Sequence, residues 1–133
     1  MLITSLTNLR VKHVVALNEK RQRDADGLML VEGFDPLSMA LDCNLRPRTV
    51  FFCPALYKPA HGEGAHAALM QRLRDSGAEL LETTQPVFEK MAYRDGPDGL
   101  LAVLDKPDWS LAGIGVGATN RLRLLVIAER VEK

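Results

Sequence analysis

Short apolar runs divide the first 107 residues, and each run is bounded by charged residues, Gly or Pro. Runs of this length with such boundaries are typical of buried β-strands. The clearest example is TVFFC, which stops at Pro54. The pattern therefore predicts four strands, over residues 28–31, 49–53, 79–81 and 100–104.

Apolar residues at helical spacing fill the segments between these strands. Asn8 is a plausible N-cap, and Val11, Val14, Val15 and Asn18 follow it on one face of a predicted helix. Further helices are predicted after Asp35-Pro36, around Leu69 and Leu73 up to Gly77, and over residues 85–93 with Val87, Phe88 and Met91 inward. The segment 21–27 (RQRDADG) is interpreted as a polar connector ending in a turn, and 58–64 as a loop.

Strands that alternate with helical segments predict an α/β fold, in which helices cover a sheet. Residues 108–120 are irregular and rich in Gly, which favours an interdomain linker. Residues 121–133 (RLRLLVIAERVEK) contain a continuous apolar run typical of a strand buried on both faces of a parallel sheet. We therefore expect a first domain over 1–107 and the beginning of a second domain at 121–133.

The charge is unevenly distributed, although the net charge of the 133 residues is zero. The first 23 residues carry five basic side chains and one acidic side chain, and the remainder carries twelve basic and sixteen acidic ones. A basic segment on an acidic body can bind a polyanion, but a solvated helix face explains the same charges equally well. No apolar stretch approaches the roughly 20 residues of a membrane span, and Cys43 and Cys53 are too few for a disulfide framework. We therefore expect a cytoplasmic protein with reduced cysteines and no membrane partner.

Candidate catalytic and metal-binding residues are few. His61 and His66 lie five residues apart, off the spacing that puts two ligands on one helix face, so no metal site is predicted. Gly113, Gly115 and Gly117 form a G-x-G-x-G string, but no strand leads into it and no amphipathic helix follows, which favours a linker over a phosphate-binding loop. The serines have no His and Asp at helpful spacing, so no hydrolase triad is expected.

Three segments in this order carry a family resemblance: ITSLTNLRVKHVVAL, then GLMLVEG, then FEKMAYRDGPDGLLAVLDKP. Together they resemble the N-terminal substrate-binding domain of the SpoU (TrmH) family of RNA 2′-O-ribose methyltransferases. The closing LLVIAERVEK looks like the first strand of that family's knotted SPOUT catalytic domain. The resemblance covers residues 3–107 and resumes at 122–133.

The resemblance implies a three-layer α/β/α sandwich, similar in fold to kink-turn-binding ribosomal proteins, followed by the first strand of a missing knotted domain. That knotted domain binds S-adenosylmethionine in the intact enzyme and usually forms the homodimer. Its hallmark motifs are not among the residues of this chain. The resemblance therefore assigns no catalytic or cofactor-binding residue here, and we expect the chain alone to be inactive and to bind no cofactor.

The resemblance also indicates which residues face RNA, with ribosomal RNA favoured over transfer RNA. Guanidinium groups suit phosphate oxygens through their planar donor fork, and Lys supplies point charge. Glu32 is assigned a structural role, in which it pairs with a basic residue of the connector, because a carboxylate repels phosphate. The predicted RNA-binding residues are Arg10, Lys12, Lys20, Arg21, Arg23 and Arg94.

Two other functions remain open from the sequence alone. One is a stand-alone RNA-binding protein of ribosomal type, against which the apolar run at 122–128 argues. The other is a protein-interaction domain without nucleic-acid contact. A strong salt dependence of RNA binding would separate both RNA-binding hypotheses from the second alternative.

Overall fold

The computed structural model describes residues 1–62 and 64–107. The predicted linker at 108–120, with its Gly113–Gly117 string, and the predicted strand in 121–133 lie outside the described residues. Within them lie five strands and five helices, which alternate along the chain except that α1 and α2 follow one another. The strands are β1 (Leu2–Ile3), β2 (Leu28–Glu32), β3 (Pro47–Phe52), β4 (Glu79–Thr83) and β5 (Leu100–Asp105); the helices are α1 (Leu9–Ala16), α2 (Lys20–Asp26), α3 (Phe34–Asp42), α4 (Ala65–Asp75) and α5 (Gln85–Met91).

The five strands form one mixed sheet in the order β1-β4-β3-β5-β2. Strand β4 is parallel to β1 and β3, whereas β5 is antiparallel to both β3 and β2. The sheet therefore has two ends that matter below. The upper end is where β2, β3 and β4 finish and β5 begins (Glu32, Phe52, Thr83, Leu100). The lower end is where β2, β3 and β4 begin and β5 finishes (Leu28, Pro47, Glu79, Asp105).

Helices cover both faces of this sheet, which confirms the α/β class and the three-layer arrangement. Successive side chains of a strand point to opposite faces, so Phe51 and Val50 of β3 belong to separate apolar cores. One core packs against α1 and α5, and the other against α3 and α4. Both are closed off from the surface, since residues such as Val11, Phe88 and Leu73 are fully buried.

The structure corrects the connector that the sequence predicted over 21–27. Residues Lys20–Asp26 form α2, which buries none of its residues and so has no apolar periodicity to reveal it. Side-chain pairs four residues apart support the helix instead, namely an ion pair from Lys20 to Asp24 and a hydrogen bond from Gln22 to Asp26. It ends at Gly27, in the left-handed conformation typical of a helix C-terminus.

Smaller differences concern the loop and the sheet edge. Strand β1 was not predicted, because its two residues are too few to form a pattern. Two single 3₁₀ turns, Pro54–Leu56 and Pro59–His61, interrupt the segment between β3 and α4. The four predicted strands and four predicted helices are all present, with ends shifted by a few residues. Among the described residues, no helix is long and apolar enough to cross a membrane.

Candidate nucleic-acid interface

Ion pairs with acidic neighbours partly neutralise the basic N-terminal segment. The side chain of Asn8 accepts a hydrogen bond from the Arg10 amide at 2.9 Å, which caps α1 as predicted. The Arg10 guanidinium then pairs with Glu79 at the lower end of the sheet, and Lys20 pairs with Asp24. Two of the five predicted cations of this segment therefore have carboxylate partners.

The Arg23 side chain is engaged in hydrogen bonds to the backbone that hold two helices together. Its Nη1 donates hydrogen bonds to the carbonyl oxygens of Leu17 and Asn18, at 2.8 and 2.7 Å. The last carbonyls of a helix have no partner within the helix, so Arg23 satisfies the C-terminus of α1 and holds α2 against it. This contact depends on α2, which explains why the sequence did not reveal it.

Lys12 on α1 and Arg21 on α2 are exposed, and neither makes an ion pair or side-chain hydrogen bond within residues 1–62 and 64–107. The Asn18 amide donates to the Met91 carbonyl at 3.2 Å, so the junction of α1 and α2 lies against the segment that leads to Arg94. The predicted RNA-binding residues are thus spread over the molecule. Arg10 lies at the lower end of the sheet, and Arg94 follows α5 towards the upper end.

Glu32 fixes the loop at residues 93–98. Its side chain is buried, and Oε2 accepts a hydrogen bond from the Tyr93 amide at 2.9 Å. The structural role predicted for Glu32 is therefore present, but its expected partner in the 21–27 segment was wrong. Burial raises the pKa of Glu32, while the Tyr93 and Arg94 amides act in the opposite direction.

Asp98 completes this arrangement from the other end of the loop. Its Oδ2 accepts a hydrogen bond from the Phe34 amide at 2.8 Å, and so caps α3 in place of Gly33, which has no side chain. Arg94 crosses close to Gly33, since a Cβ there would lie 3.1 Å from Nη1 of Arg94. The GLMLVEG and YRDGPDG motifs, about sixty residues apart in sequence, therefore form one interlocked unit.

Beside this unit lies a cleft of ≈ 500 Å³ at the upper end of the sheet. Lys58 spans it, because its Nζ donates to the Gly96 carbonyl at 2.9 Å. Two buried acceptor atoms, Oε1 of Glu32 and Oδ1 of Asp98, have no hydrogen-bond partner among residues 1–62 and 64–107. The charged and titratable side chains that line the cleft are Glu32, Asp35, Lys58, His61, Arg94, Asp95 and Asp98.

Four rings pack together next to the cleft, and we call them the ring cluster: Phe34, Tyr57, His61 and His66. The Phe34 and His61 rings stack with centroids 4.1 Å apart, as do those of Tyr57 and His66. Phe34 also meets His66 edge-on at 5.0 Å. Burial lowers the pKa of His66, with His61 acting in the same direction, and burial raises the pKa of Tyr57 to about 12.

The sequence did not reveal the ring cluster. The five-residue separation of His61 and His66 excludes a shared helix face, but the turn Pro59–His61 and the left-handed Gly64 before α4 bring both rings to Phe34. Within the part of the chain that the structure describes, no group of three or more His, Cys, Asp or Glu residues could hold a metal ion. Of the ring cluster, only His61 lines the cleft, and its Nδ1 lies 3.7 Å from Oδ1 of Asp35.

A second cleft of ≈ 300 Å³ lies at the lower end of the sheet, where Arg10, His13, Arg48 and Glu79 line it. Its charges are paired, since Arg10 contacts Glu79 and Arg48 contacts Asp105 at 2.5 Å. His13 lies 2.8 Å from Asp26. The lower cleft therefore offers few unpaired groups to a ligand.

Solved structures that are similar to this chain include RNA methyltransferases. The chain is 28% identical to a crystal structure of an RNA 2′-O ribose methyltransferase, with a TM-score of 0.66, covering 84% of this chain and 40% of that one. It is 24% identical to an rRNA methyltransferase from Sinorhizobium meliloti, with a TM-score of 0.64, covering 80% of this chain and 37% of that one. The fold is also shared with the SpoU methyltransferase AviRb from Streptomyces viridochromogenes in complex with AdoMet, at 22% identity and a TM-score of 0.63, covering 83% and 38%.

This chain thus spans about two fifths of the length of these proteins. No curated protein matches its sequence. A family model described as the MRM3-like substrate binding domain matches residues 8–102, which include α1 to α5 and the interlocked unit at the upper end of the sheet. The resemblance to SpoU-type methyltransferases is confirmed, and the chain belongs to the MRM3-like substrate-binding domain family.

Proposed function

We propose that this chain is the RNA-recognition module of an S-adenosylmethionine-dependent RNA 2′-O-ribose methyltransferase, with ribosomal RNA as the favoured substrate. The match of residues 8–102 to a substrate-binding domain carries this proposal. The names of the similar structures, an RNA 2′-O ribose methyltransferase and an rRNA methyltransferase, support the reaction and the type of RNA. Transfer RNA is the competing substrate.

In this proposal the catalytic work belongs to another part of the protein. Residues 1–107 would form the RNA-binding unit, related in fold to kink-turn-binding ribosomal proteins, and 108–120 would link it to a knotted domain beginning at 121–133. That domain would bind S-adenosylmethionine and form the homodimer. The similarity of LLVIAERVEK to the first strand of such domains supports this division, as does the cofactor bound to AviRb.

The exposed cations of α1 and α2 are the proposed phosphate contacts. Lys12 and Arg21 are the best placed, because neither has an ion-pair partner in the described part of the chain. Arg94 adds a proposed contact at the upper end of the sheet. Lys20 and Arg10 would contribute only after leaving their carboxylate partners. Arg23 would likewise have to leave the carbonyls of Leu17 and Asn18. Each phosphate that a cation neutralises releases counterions, so the affinity should fall steeply with salt.

The test is a pair of matched charge reversals. We expect Lys12→Glu with Arg21→Glu to weaken binding of a structured ribosomal RNA fragment and to flatten the log-log salt dependence by roughly 0.7 to 0.9 per lost contact. The control is Arg46→Glu with Arg74→Glu, which reverses two exposed charges on the α3–α4 side. Fluorescence anisotropy over a salt series, with transfer RNA as a second probe, measures both.

Neither reversed pair breaks an ion pair of the described residues, so both proteins should fold. Equal weakening by the two pairs would contradict this surface and indicate only a general charge effect. Failure of the unmodified chain to bind any structured RNA at low salt would contradict the proposed function itself. Equal affinity for the ribosomal and transfer RNA probes would contradict the favoured substrate.

A further inference from the structure

We infer that the cleft at the upper end of the sheet holds one unpaired guanosine of the RNA. The inference rests on the proposed function and adds to it a specific subsite, separate from the phosphate-binding surface on α1 and α2. Sequence-specific proteins read RNA mainly at unpaired bases, which they stack on rings and hydrogen-bond along the Watson–Crick edge. The cleft supplies each of these elements.

The stacking element is the His61 ring. It lines the cleft, and Phe34 stacks behind it at 4.1 Å, which fixes the orientation of the imidazole. The turn that carries His61 is further tied down through Lys58, which bonds the Gly96 carbonyl across the cleft. A ring held in this way loses little conformational freedom when a base stacks on it, and every base has a face that can stack.

The hydrogen-bonding element is a surplus of acceptors. Four carboxylates line the cleft (Glu32, Asp35, Asp95, Asp98) against two permanent cations, Lys58 and Arg94. Glu32 is only 1% exposed, and its Oε1 has no hydrogen-bond partner within the described part of the chain. A cleft with unpartnered acceptors favours a ligand rich in donors, since an unpaired buried acceptor costs free energy.

Among the four bases, guanine fits this surplus best. Its Watson–Crick edge presents two adjacent donors, N1–H and the N2 amino group, which one carboxylate can accept together. Adenine and cytosine place a ring-nitrogen acceptor beside their amino group. Uracil flanks its single N–H with two carbonyl oxygens. Each of these three bases therefore turns a lone pair towards the carboxylate. Asp35 is the proposed reader, because its side chain is 80% exposed and it stands beside His61.

The remaining part of the nucleotide is a phosphate, for which Lys58 and Arg94 are available. An ammonium group has three donors, so Lys58 can keep its bond to the Gly96 carbonyl and still contact a phosphate oxygen. Arg94 is exposed, and the α1–α2 junction contacts the chain three residues before it, through the bond from Asn18 to the Met91 carbonyl. An RNA strand could thus pass from the cations of α2 to the cleft without leaving basic side chains.

The inference is tested with the full chain and the pentanucleotides UUGUU, UUAUU, UUCUU and UUUUU. In ¹⁵N-correlation spectra, we expect UUGUU to shift the amide signals of Lys58, His61 and Arg94, and to bind several-fold more tightly than the other three. His61→Ala should raise the dissociation constant for UUGUU at least about five-fold, as expected for loss of one stacked base. Lys58→Ala, which removes the ammonium group but none of the four rings, should also weaken binding.

Asp35→Asn should reduce the preference for UUGUU over UUUUU, and Asp42→Asn, at the far end of the same helix, should leave it unchanged. Equal affinity for all four pentanucleotides would overturn the assignment of guanine. Shifts confined to Lys12, Arg21 and their neighbours would overturn the cleft as a binding site while leaving the proposed function intact. Absence of binding to both pentanucleotides and structured ribosomal RNA would instead refute the proposed function.

Discussion

Of the glycines in the described part of the chain, Gly99 leaves the least room for an added Cβ, which predicts a large effect for Gly99→Ala. Gly99 has a φ of +79°, and a Cβ at this position would lie 2.4 Å from the carbonyl oxygen of Cys53. That oxygen cannot move away easily, because the Cys53 amide donates to the Gly99 carbonyl at 2.9 Å and joins the end of β3 to the start of β5. The backbone must therefore shift to admit a methyl group.

The magnitude follows from two separate costs. A left-handed conformation costs a non-Gly residue about 1–2 kcal/mol, and breaking the Cys53–Gly99 hydrogen bond in the shifted backbone adds about 1 kcal/mol. We expect the free energy of unfolding to fall by roughly 2–3 kcal/mol in total. Gly77→Ala is the matched control: its φ is +84°, but nothing lies within 4 Å of the added Cβ, so only the first cost applies.

Urea unfolding followed by circular dichroism measures both variants. Gly99→Ala should move the midpoint well below that of Gly77→Ala while the dependence on denaturant stays the same, since the surface exposed on unfolding does not change. Equal losses for the two variants would refute the argument from close approach. Because Gly99 follows Asp98, we also expect Gly99→Ala to weaken UUGUU binding in the adjacent cleft.

Two further predictions concern single side chains. Burial raises the pKa of Glu32 above its ordinary value of 4.5, so the native state holds this proton more tightly than the unfolded chain does. The resulting stability is fully present below pH 4.5 and is lost as the pH rises through the pKa of the folded state. Glu32→Gln, whose side-chain oxygen can still accept from the Tyr93 amide, should reduce this loss of stability with rising pH. Urea unfolding at a series of pH values measures it. An unchanged dependence of the free energy of unfolding on pH would contradict the ionisation of Glu32 as its source. Arg23→Ala should cost about 1–2 kcal/mol, because the carbonyls of Leu17 and Asn18 at the end of α1 lose a charged donor. Arg21→Ala should change stability by less than about 0.5 kcal/mol. Thermal unfolding compares the two arginine variants, and equal midpoints would contradict the structural role of Arg23.

Local sequence determined most of the secondary structure. The cap at Asn8 and the buried positions Val11 and Val14 identify α1, and Val87 and Phe88 identify α5. These signals are local, because a helix face depends on residues three and four apart and a cap on its nearest amides. The same logic explains the missed helix α2: with no buried face, it leaves no apolar pattern to detect.

The family resemblance drew attention to Glu32 and Arg94, but not to how they act. That Glu32 holds the Tyr93 amide, sixty-one residues further along the chain, depends on β5 lying between β3 and β2. A strand inserted between two earlier ones leaves no mark on the spacing of its own residues. The pairing of Arg10 with Glu79 also depends on an inserted strand, because β4, which begins at Glu79, lies between β1 and β3.

The candidate binding site shows most clearly which features the sequence determines and which the tertiary structure decides. The sequence alone determined that basic residues concentrate near the N-terminus, and that the chain carries three segments resembling an RNA methyltransferase. Only the tertiary structure decided which cations are already paired, and only it assembled His61, Phe34 and Asp35 beside a cleft. The physical reason is that charge and periodicity belong to the chain itself. Pairing and cavities belong to the packing of elements that are distant in sequence.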